Sequence, residues 1–388
     1  MYAARVRTNR VDVASIIPAG PFVAEEKRVA LREVHAWLEG RGRSNHAGEW
    51  RLGGYAGVGK TKMISYIVEL CNAMGLRVAV CAFTGKAVSV LREKGMWQAT
   101  TLHKLLYKPY MDTEGRICFK RVPRLEYDVV IVDEGSMLST PLYMDLRAHF
   151  GVRRIIVGDP AQLAPVGADP RLMHDCDMIL NDIHRQGALS PILALAQSVR
   201  LGNIDLEVGT WGDARTGRVT ITRDAVADLM PYDVAICGYN STRHKINRMK
   251  RRALGYTQIV EEGEMLMCLK NDDQDGGSGL HNGVMGRATN VRDDGDNLVA
   301  DITDQAGNLY PEIELRREIF GRDYVRDGED PEDTRLPFAY GHGITGHKSQ
   351  ASQWSSVFVK NEMLPNSDHE RWLYTVITRA ERDLTIKI

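Results

Sequence analysis

The sequence predicts an α/β protein built on a parallel sheet that binds a nucleotide at the carboxyl ends of its strands. Three observations carry this expectation. A phosphate loop, Gly54-x-x-x-x-Gly59-Lys60-Thr61, lies between a strand-like and a helix-like segment; two further apolar runs each end in a carboxylate; and a second α/β pattern begins near residue 233.

Apolar residues at helical spacing over 22–38 precede a strand-like 50–52 that feeds the loop. A helix is expected over 60–74, with Met63, Ile64, Ile67, Val68 and Cys71 on one side and Gly75 as its stop. Residues 77–83 read as a buried strand, and strand, helix, strand in this order opens a parallel sheet. The runs over 128–133 and 154–158 lead into Asp133-Glu134 and Asp159. Ligands of open parallel sheets sit outside the carboxyl ends of the strands, so these acids are expected to share a crevice with the phosphate loop. Residues 107–126, with a turn at 113–116, read as a β-hairpin projecting from this core. The second pattern starts over 233–238, breaks, and resumes with strands over 356–359 and 384–388. The break, about 263–324, is rich in Gly, Asp and Asn and reads as a small β-barrel insert.

The 388 residues imply two domains or more, and 43% hydrophobic residues suffice for buried cores. A formal charge of −1 argues against a generally basic coat, so any contact with a polyanion is expected to be local. No run approaches the ~18 to 20 apolar residues of a membrane span, and the N-terminus lacks the order of a secretory signal, which together predict a cytoplasmic protein without membrane contact. Six cysteines form no C-x-x-C pair and read as free thiols. His174, Cys176 and His184 make a poor metal set. Asn271-x-Asp273-x-Asp275-Gly276 has the front half of a calcium loop but Asn282 at its twelfth position, and reads as a solvated turn.

The glycines of the loop, Gly54, Gly57 and Gly59, let backbone N–H groups close around phosphate, Lys60 neutralises charge, and Thr61 can ligate Mg²⁺. Asp133 can hold the same ion and Glu134 can take a proton from an attacking water; the plainer alternative is a pair of acids capping a helix. Gln162, in GDPAQLAPV, can hydrogen-bond a γ-phosphate and so report nucleotide state, although Asp-Pro is also a common turn. Arg185 and Arg379 are candidate charge stabilisers, each a weak signal alone. Thr84 and Lys86, Thr101 and His103, and Thr345 and His347 sit in polar loops suited to the phosphates of a single strand, with Phe83, Tyr340 and Trp354 near them as stacking candidates.

In order, GGYAGVGKT, CAFTGKAV, TLHKLL, VDEGSM, GDPAQLAPV, IHRQ, TGHKSQ and LYTVITRAERDL resemble the motif series of superfamily-1 helicases, in the RecD-like branch that includes small phage enzymes of the Dda type. The resemblance runs from about residue 22 to 388. It implies two RecA-like cores: the first over 1–190, the second over 191–262 and 332–388, with a hairpin insert in the first and an SH3-like barrel over 263–331 in the second. It further implies ATP with Mg²⁺ between the cores, 5′ to 3′ translocation of a monomer on single-stranded DNA, strand separation at duplex junctions, and possible service beside replication or recombination proteins. The residue roles above match the family's motifs position by position. Three positions depart from the pattern. Glu26 stands where a glutamine usually reads adenine, so preference for ATP over GTP is expected to relax. Ala351 replaces a glycine and is expected to crowd a close backbone approach, and Gly135 is an uncommon filler. Two other readings stand beside the DNA helicase: a viral-type RNA helicase, and a non-motor recombination protein whose grip on nucleic acid ATP merely switches. A GTPase is disfavoured because no Asn-Lys-x-Asp motif occurs.

Overall fold

The computed structural model describes residues 12–16, 25–111, 117–165, 167–182, 190–224, 229–270, 272, 280, 282–305, 307–321, 333, 335–364 and 368–388. The chain divides near residue 189 into two compact units, with Thr84–Lys86 and, of the described residues, Met111, Ile117 and Cys118 counted to the second.

In the first unit, α1 (Val13–Ile16) and α2 (Glu25–Leu38) lead to β1 (Glu49–Gly54), α3 (Lys60–Ala73) and β2 (Val78–Ala82). Then come α4 (Gly85–Glu93), β3 (Thr100–Thr101), α5 (Leu102–Leu106), and the strands β4 (Tyr107–Met111) and β5 (Ile117–Arg121). The unit continues with β6 (Val129–Asp133), α6 (Thr140–Arg147), β7 (Arg153–Gly158) and β8 (Met178–Leu180). Six strands form one sheet in the order β3-β2-β6-β7-β1-β8, and every pairing is parallel. A parallel sheet is covered on both faces, and this explains the unbroken apolar run of β6, in which Val129, Val130, Ile131 and Val132 are wholly buried. Register sets the function of the sheet: Gly53 pairs with Gly158, while Ala82 pairs with both Asp133 and Thr101. The carboxyl ends of five strands therefore lie along one edge.

The expected hairpin is present as a separate two-stranded sheet of β4 and β5. Its base is tied to α6, because the Asp145 carboxylate accepts from the Tyr107 hydroxyl on β4 and, at 2.9 Å, from Arg121 on β5. The residues of its expected turn, 113–116, lie outside the described residues.

The second unit opens with α7 (Pro191–Arg200), β9 (Gly209–Asp213), β10 (Gly217–Thr222), β11 (Val234–Cys237) and α8 (Asn240–Ala253). It closes with β17 (Gly343–Thr345), β18 (Trp354–Lys360), α9 (Asp368–Ile377) and β19 (Ala380–Lys387). These strands form a sheet in the order β17-β11-β18-β19-β10-β9, parallel except for β9 at its edge. Strands β9 and β10 are not among the sequence expectations: β9 is largely exposed, whereas β10 alternates buried Gly217, Val219 and Ile221 with less buried Arg218, Thr220 and Thr222, a strand pattern that is short.

Between the two halves run β12 (Met265–Cys268), β13 (Met285–Asp293), β14 (Leu298–Asp304), β15 (Leu309–Glu314) and β16 (Phe338–Tyr340), an antiparallel sheet in the order β15-β14-β13-β12-β16. Its own core includes Leu266, Ala288, Ile302 and Phe338. The sheet reaches past residue 331, because Phe338 pairs with Cys268 and Tyr340 with Leu266. A strand whose partner lies so far back in sequence leaves no local trace.

Among the described residues there is no disulfide, no cluster of metal-ligating side chains, and no helix long and apolar enough to cross a membrane. Residues 273–276 of the calcium-like stretch, and His184, lie outside the described residues.

Candidate nucleotide site and strand-binding edges

Strand β1 is buried throughout and delivers the chain to the phosphate loop. Gly57 and Gly59 take φ of 80° and 82°, in the left-handed region where a side chain is costly. Gly59 is the N-cap of α3 and brings no side chain to its first N–H groups. Those donors and the positive end of the helix are thus available to an anion. The Lys60 ammonium donates to the carbonyl of Gly54 at 2.8 Å and lies 3.6 Å from the Asp159 carboxylate, itself wholly buried.

The chain leaves β6 at Asp133, which is 7% exposed. Burial, reinforced by the neighbouring Glu134 charge, pushes its carboxyl up to about 7. Its Oδ1 accepts the Glu134 N–H at 2.8 Å. Glu134 itself sits at φ 54°, ψ 42°, a conformation a non-glycine residue holds only when its surroundings impose it. Those surroundings are visible at the next position. A Cβ on Gly135 would stand 2.4 Å from Ile156 Cγ2, so the turn lies flat on β7 and only glycine fits. Thus the uncommon filler has a packing cause. Beyond β7, Asp159 organises the following turn through the N–H groups of Ala161, at 2.9 Å, and Gln162, at 3.3 Å. Glu134 Oε2 and Gln162 Oε1 are buried and have no hydrogen-bond partner among the described residues. Buried acceptors without donors are costly, and two of them beside a phosphate loop suit a polar ligand and its attacking water. The Thr61 hydroxyl and the Asp133 carboxylate are hard oxygen donors of the kind Mg²⁺ takes, so the residues present fit that ion.

The remaining candidates are placed as follows. Glu26, on α2, accepts the backbone N–H groups of Asn181, at 2.8 and 2.9 Å, and Asp182, at 2.9 Å, just past the end of β8. Its carboxylate thus ties α2 to the sheet edge next to β1. Arg185 lies outside the described residues. Arg379 follows α9 in the second unit, is 5% exposed, and donates to the carbonyls of Thr375 at 2.9 Å and Ser352 at 3.2 Å.

Thr101 caps α5, accepting the Lys104 N–H at 3.2 Å, and is buried. His103 packs against rings at the hairpin base, tilted on Tyr107 with centroids 4.6 Å apart and edge-on to Phe119 at 4.9 Å. Thr84 is half-buried just past β2, and the Lys86 ammonium lies 5.0 Å from the Trp354 ring centroid. Thr345 ends β17 in register with Cys237 of β11, and His347 is exposed two residues on. Of the three stacking candidates, Phe83 is 39% exposed, whereas Trp354 is buried in the core and Tyr340 carries the Arg251 guanidinium on its ring at 4.2 Å. Only Phe83 offers a face to a base. Ala351 adopts φ 57°, the left-handed conformation for which glycine is suited.

Sheet order, phosphate loop and paired acids define a P-loop nucleotide-binding protein with a parallel-sheet core. Residues 47–224 match the family described as AAA domain, and 340–386 match the UvrD-like helicase C-terminal domain. The chain is 28% identical over 359 residues to the ATP-dependent RecD2 DNA helicase of Deinococcus radiodurans, covering 85% of this chain and 45% of that one. It is 27% identical over 395 residues to the RecD subunit of the RecBCD enzyme of Mycobacterium tuberculosis, covering 86% of this chain and 66% of the relative. The crystal structure of Bacteroides Pif1 bound to ssDNA superposes with a TM-score of 0.59 at 18% identity, covering 94% and 92% of the two chains. The chain is thus similar in sequence to RecD2 and RecD proteins over most of its own length, and it spans less than half the length of the RecD2 relative.

Proposed function

We propose that the chain is an ATP-dependent DNA helicase that moves 5′ to 3′ along single-stranded DNA and opens duplex junctions. The observation that carries this reading is the single sheet edge of the first unit, where Lys60, Asp133, the unpartnered Glu134 oxygen and Gln162 converge at the ends of adjacent strands. Similarity to a RecD2 DNA helicase, and to a Pif1 crystallised with ssDNA, supports DNA as the polymer.

In this reading Lys60 and the first N–H groups of α3 bind the β- and γ-phosphates, and Glu134 takes the proton of the attacking water. Thr61 and Asp133 would hold Mg²⁺, whose charge offsets that on the phosphates. Gln162 senses the γ-phosphate, and Arg185 with Arg379 stabilise the charge that develops there. Domain organisation follows the family pattern: two RecA-like cores that close on ATP and separate after hydrolysis, with an SH3-like insert in the second. Thr84, Lys86, Thr345 and His347 grip the strand alternately, and the β4-β5 hairpin parts the duplex. Thr101 and His103 contribute by shaping the loop and the hairpin base.

A strand-displacement assay comparing 5′-tailed and 3′-tailed duplexes of DNA and RNA tests the proposal. Displacement of the 5′-tailed DNA alone, lost in Lys60→Ala, is expected. ATP hydrolysis that single-stranded DNA fails to stimulate would refute it.

A further inference from the structure

Helix α8 carries six Lys or Arg among its fourteen residues and no acid. In a chain of net charge −1 this is a strong local excess. The helix uses its cations in two ways. Those facing inward are engaged: Lys250 donates to the carbonyls of Leu229 at 2.9 Å and Tyr232 at 2.7 Å, and Arg251 pairs with the wholly buried Glu264. Those facing outward are not. Lys245, Arg248 and Arg252 are exposed, and no hydrogen-bond or ion-pair partner meets any of them among the described residues. At 100° per residue the three fall within about 60° of one another, and they span a rise of ~10 Å. Met249, 53% exposed, lies on the same face.

A favourable interaction with the helix dipole accounts for cations in the last turn, Arg252 among them. It does not account for Lys245 and Arg248, which lie ahead of that turn. Nor is the helix loosely placed. Asn247 exchanges two hydrogen bonds with Gly343 of β17, at 2.8 and 3.1 Å, and Ile246 fills the space where a Gly343 side chain would stand. At the other end, the Glu362 carboxylate accepts the N–H groups of Gly238 at 2.8 Å and Tyr239 at 3.2 Å, and the Thr242 hydroxyl at 2.6 Å. The start of α8 is thereby fixed at the same sheet edge as Thr345, and its outer face leads away from that edge.

We infer that the outer face of α8, through Lys245, Arg248 and Arg252, is a phosphate-binding track for single-stranded DNA that continues the contact edge at Thr345 and His347. The inference rests on the strand-binding reading above and extends it beyond the motif loops. A rise of ~10 Å matches about three phosphates of a stacked strand, and free cations on a rigid helix suit a uniform backbone rather than particular bases.

The test is equilibrium binding of two oligothymidylates, one of about 8 nucleotides and one of about 20, and of a blunt duplex of about 20 base pairs, to the wild type and to the triple variant Lys245→Gln, Arg248→Gln, Arg252→Gln over a range of salt. Glutamine keeps helix propensity at these exposed positions, and circular dichroism checks the fold. The wild type is expected to bind the longer strand more tightly and with a steeper salt slope. The variant is expected to match wild type on the short strand, to bind the long one about tenfold more weakly, and to lose about 2 from the slope. Wild-type affinity and slope on the long strand in the variant would overturn the track. A loss seen only with a blunt duplex would overturn the single-strand assignment in favour of duplex. If the wild type binds neither oligothymidylate, the strand-binding reading fails first and the track falls with it.

Discussion

Asp133 pits stability against function, and Asp133→Asn measures the conflict. The carboxyl is 7% exposed, and burial together with the Glu134 charge raises it from an ordinary value near 3.8 to about 7. A raised acid is harder to ionise in the folded chain than in the unfolded one. Below about pH 4 both states hold the proton and no penalty exists; between about pH 4 and 7 the unfolded state releases it first, and the penalty grows; above about pH 7 it is complete. Three units correspond to about 4 kcal/mol, an upper bound because water entry relaxes the site. Asparagine removes the charge and keeps an oxygen to accept the Glu134 N–H. Without nucleotide or Mg²⁺, Asp133→Asn is therefore expected to stabilise the first unit by about 1–4 kcal/mol at pH 8.5, with the gain vanishing toward pH 4. Urea unfolding followed by hydrogen exchange in β6 reads the difference. The same variant loses ATP hydrolysis and the stabilisation that Mg²⁺ with ATP confers. A variant no more stable than wild type at high pH, or a gap that stays constant down to pH 4, would refute the reasoning.

Three further outcomes follow from the geometry. Ala351→Gly relieves a left-handed alanine at φ 57°; set against the extra freedom glycine has when unfolded, the net gain in stability is about 0.5–1 kcal/mol, read by denaturant titration, and a loss would mean that the Ala351 side chain packs usefully. Asp145→Ala frees both strands of the hairpin from α6, so strand displacement per ATP should fall while hydrolysis stimulated by single-stranded DNA persists; equal loss of both would show that the contact merely stabilises the fold. Glu26→Ala removes acceptors of the exposed Asn181 and Asp182 N–H groups, which water can satisfy, and should cost no more than about 1 kcal/mol, yet leave the ratio of ATP to GTP hydrolysis unchanged, because that carboxylate is already occupied; a changed ratio in steady-state assays would return Glu26 to the purine.

The sequence alone determined the parallel nucleotide-binding core, the phosphate loop and the carboxylates after β6 and β7. These are local signals: glycine spacing, apolar periodicity, and an acid directly after a buried run. Tertiary structure decided everything that depends on distant partners. It placed Asp133 beside Ala82 and Gly158 beside Gly53 through strand register, joined β16 to β12, and bound Glu26 to Asn181. It gave Gly135 a reason in the side chain of Ile156, and it buried Trp354, whose neighbours no window of sequence contains. It also separated the inward from the outward cations of α8, which composition counts alike. Side-chain type and short spacing are written along the chain, whereas burial, register and pairing arise only when segments far apart in sequence share the same space.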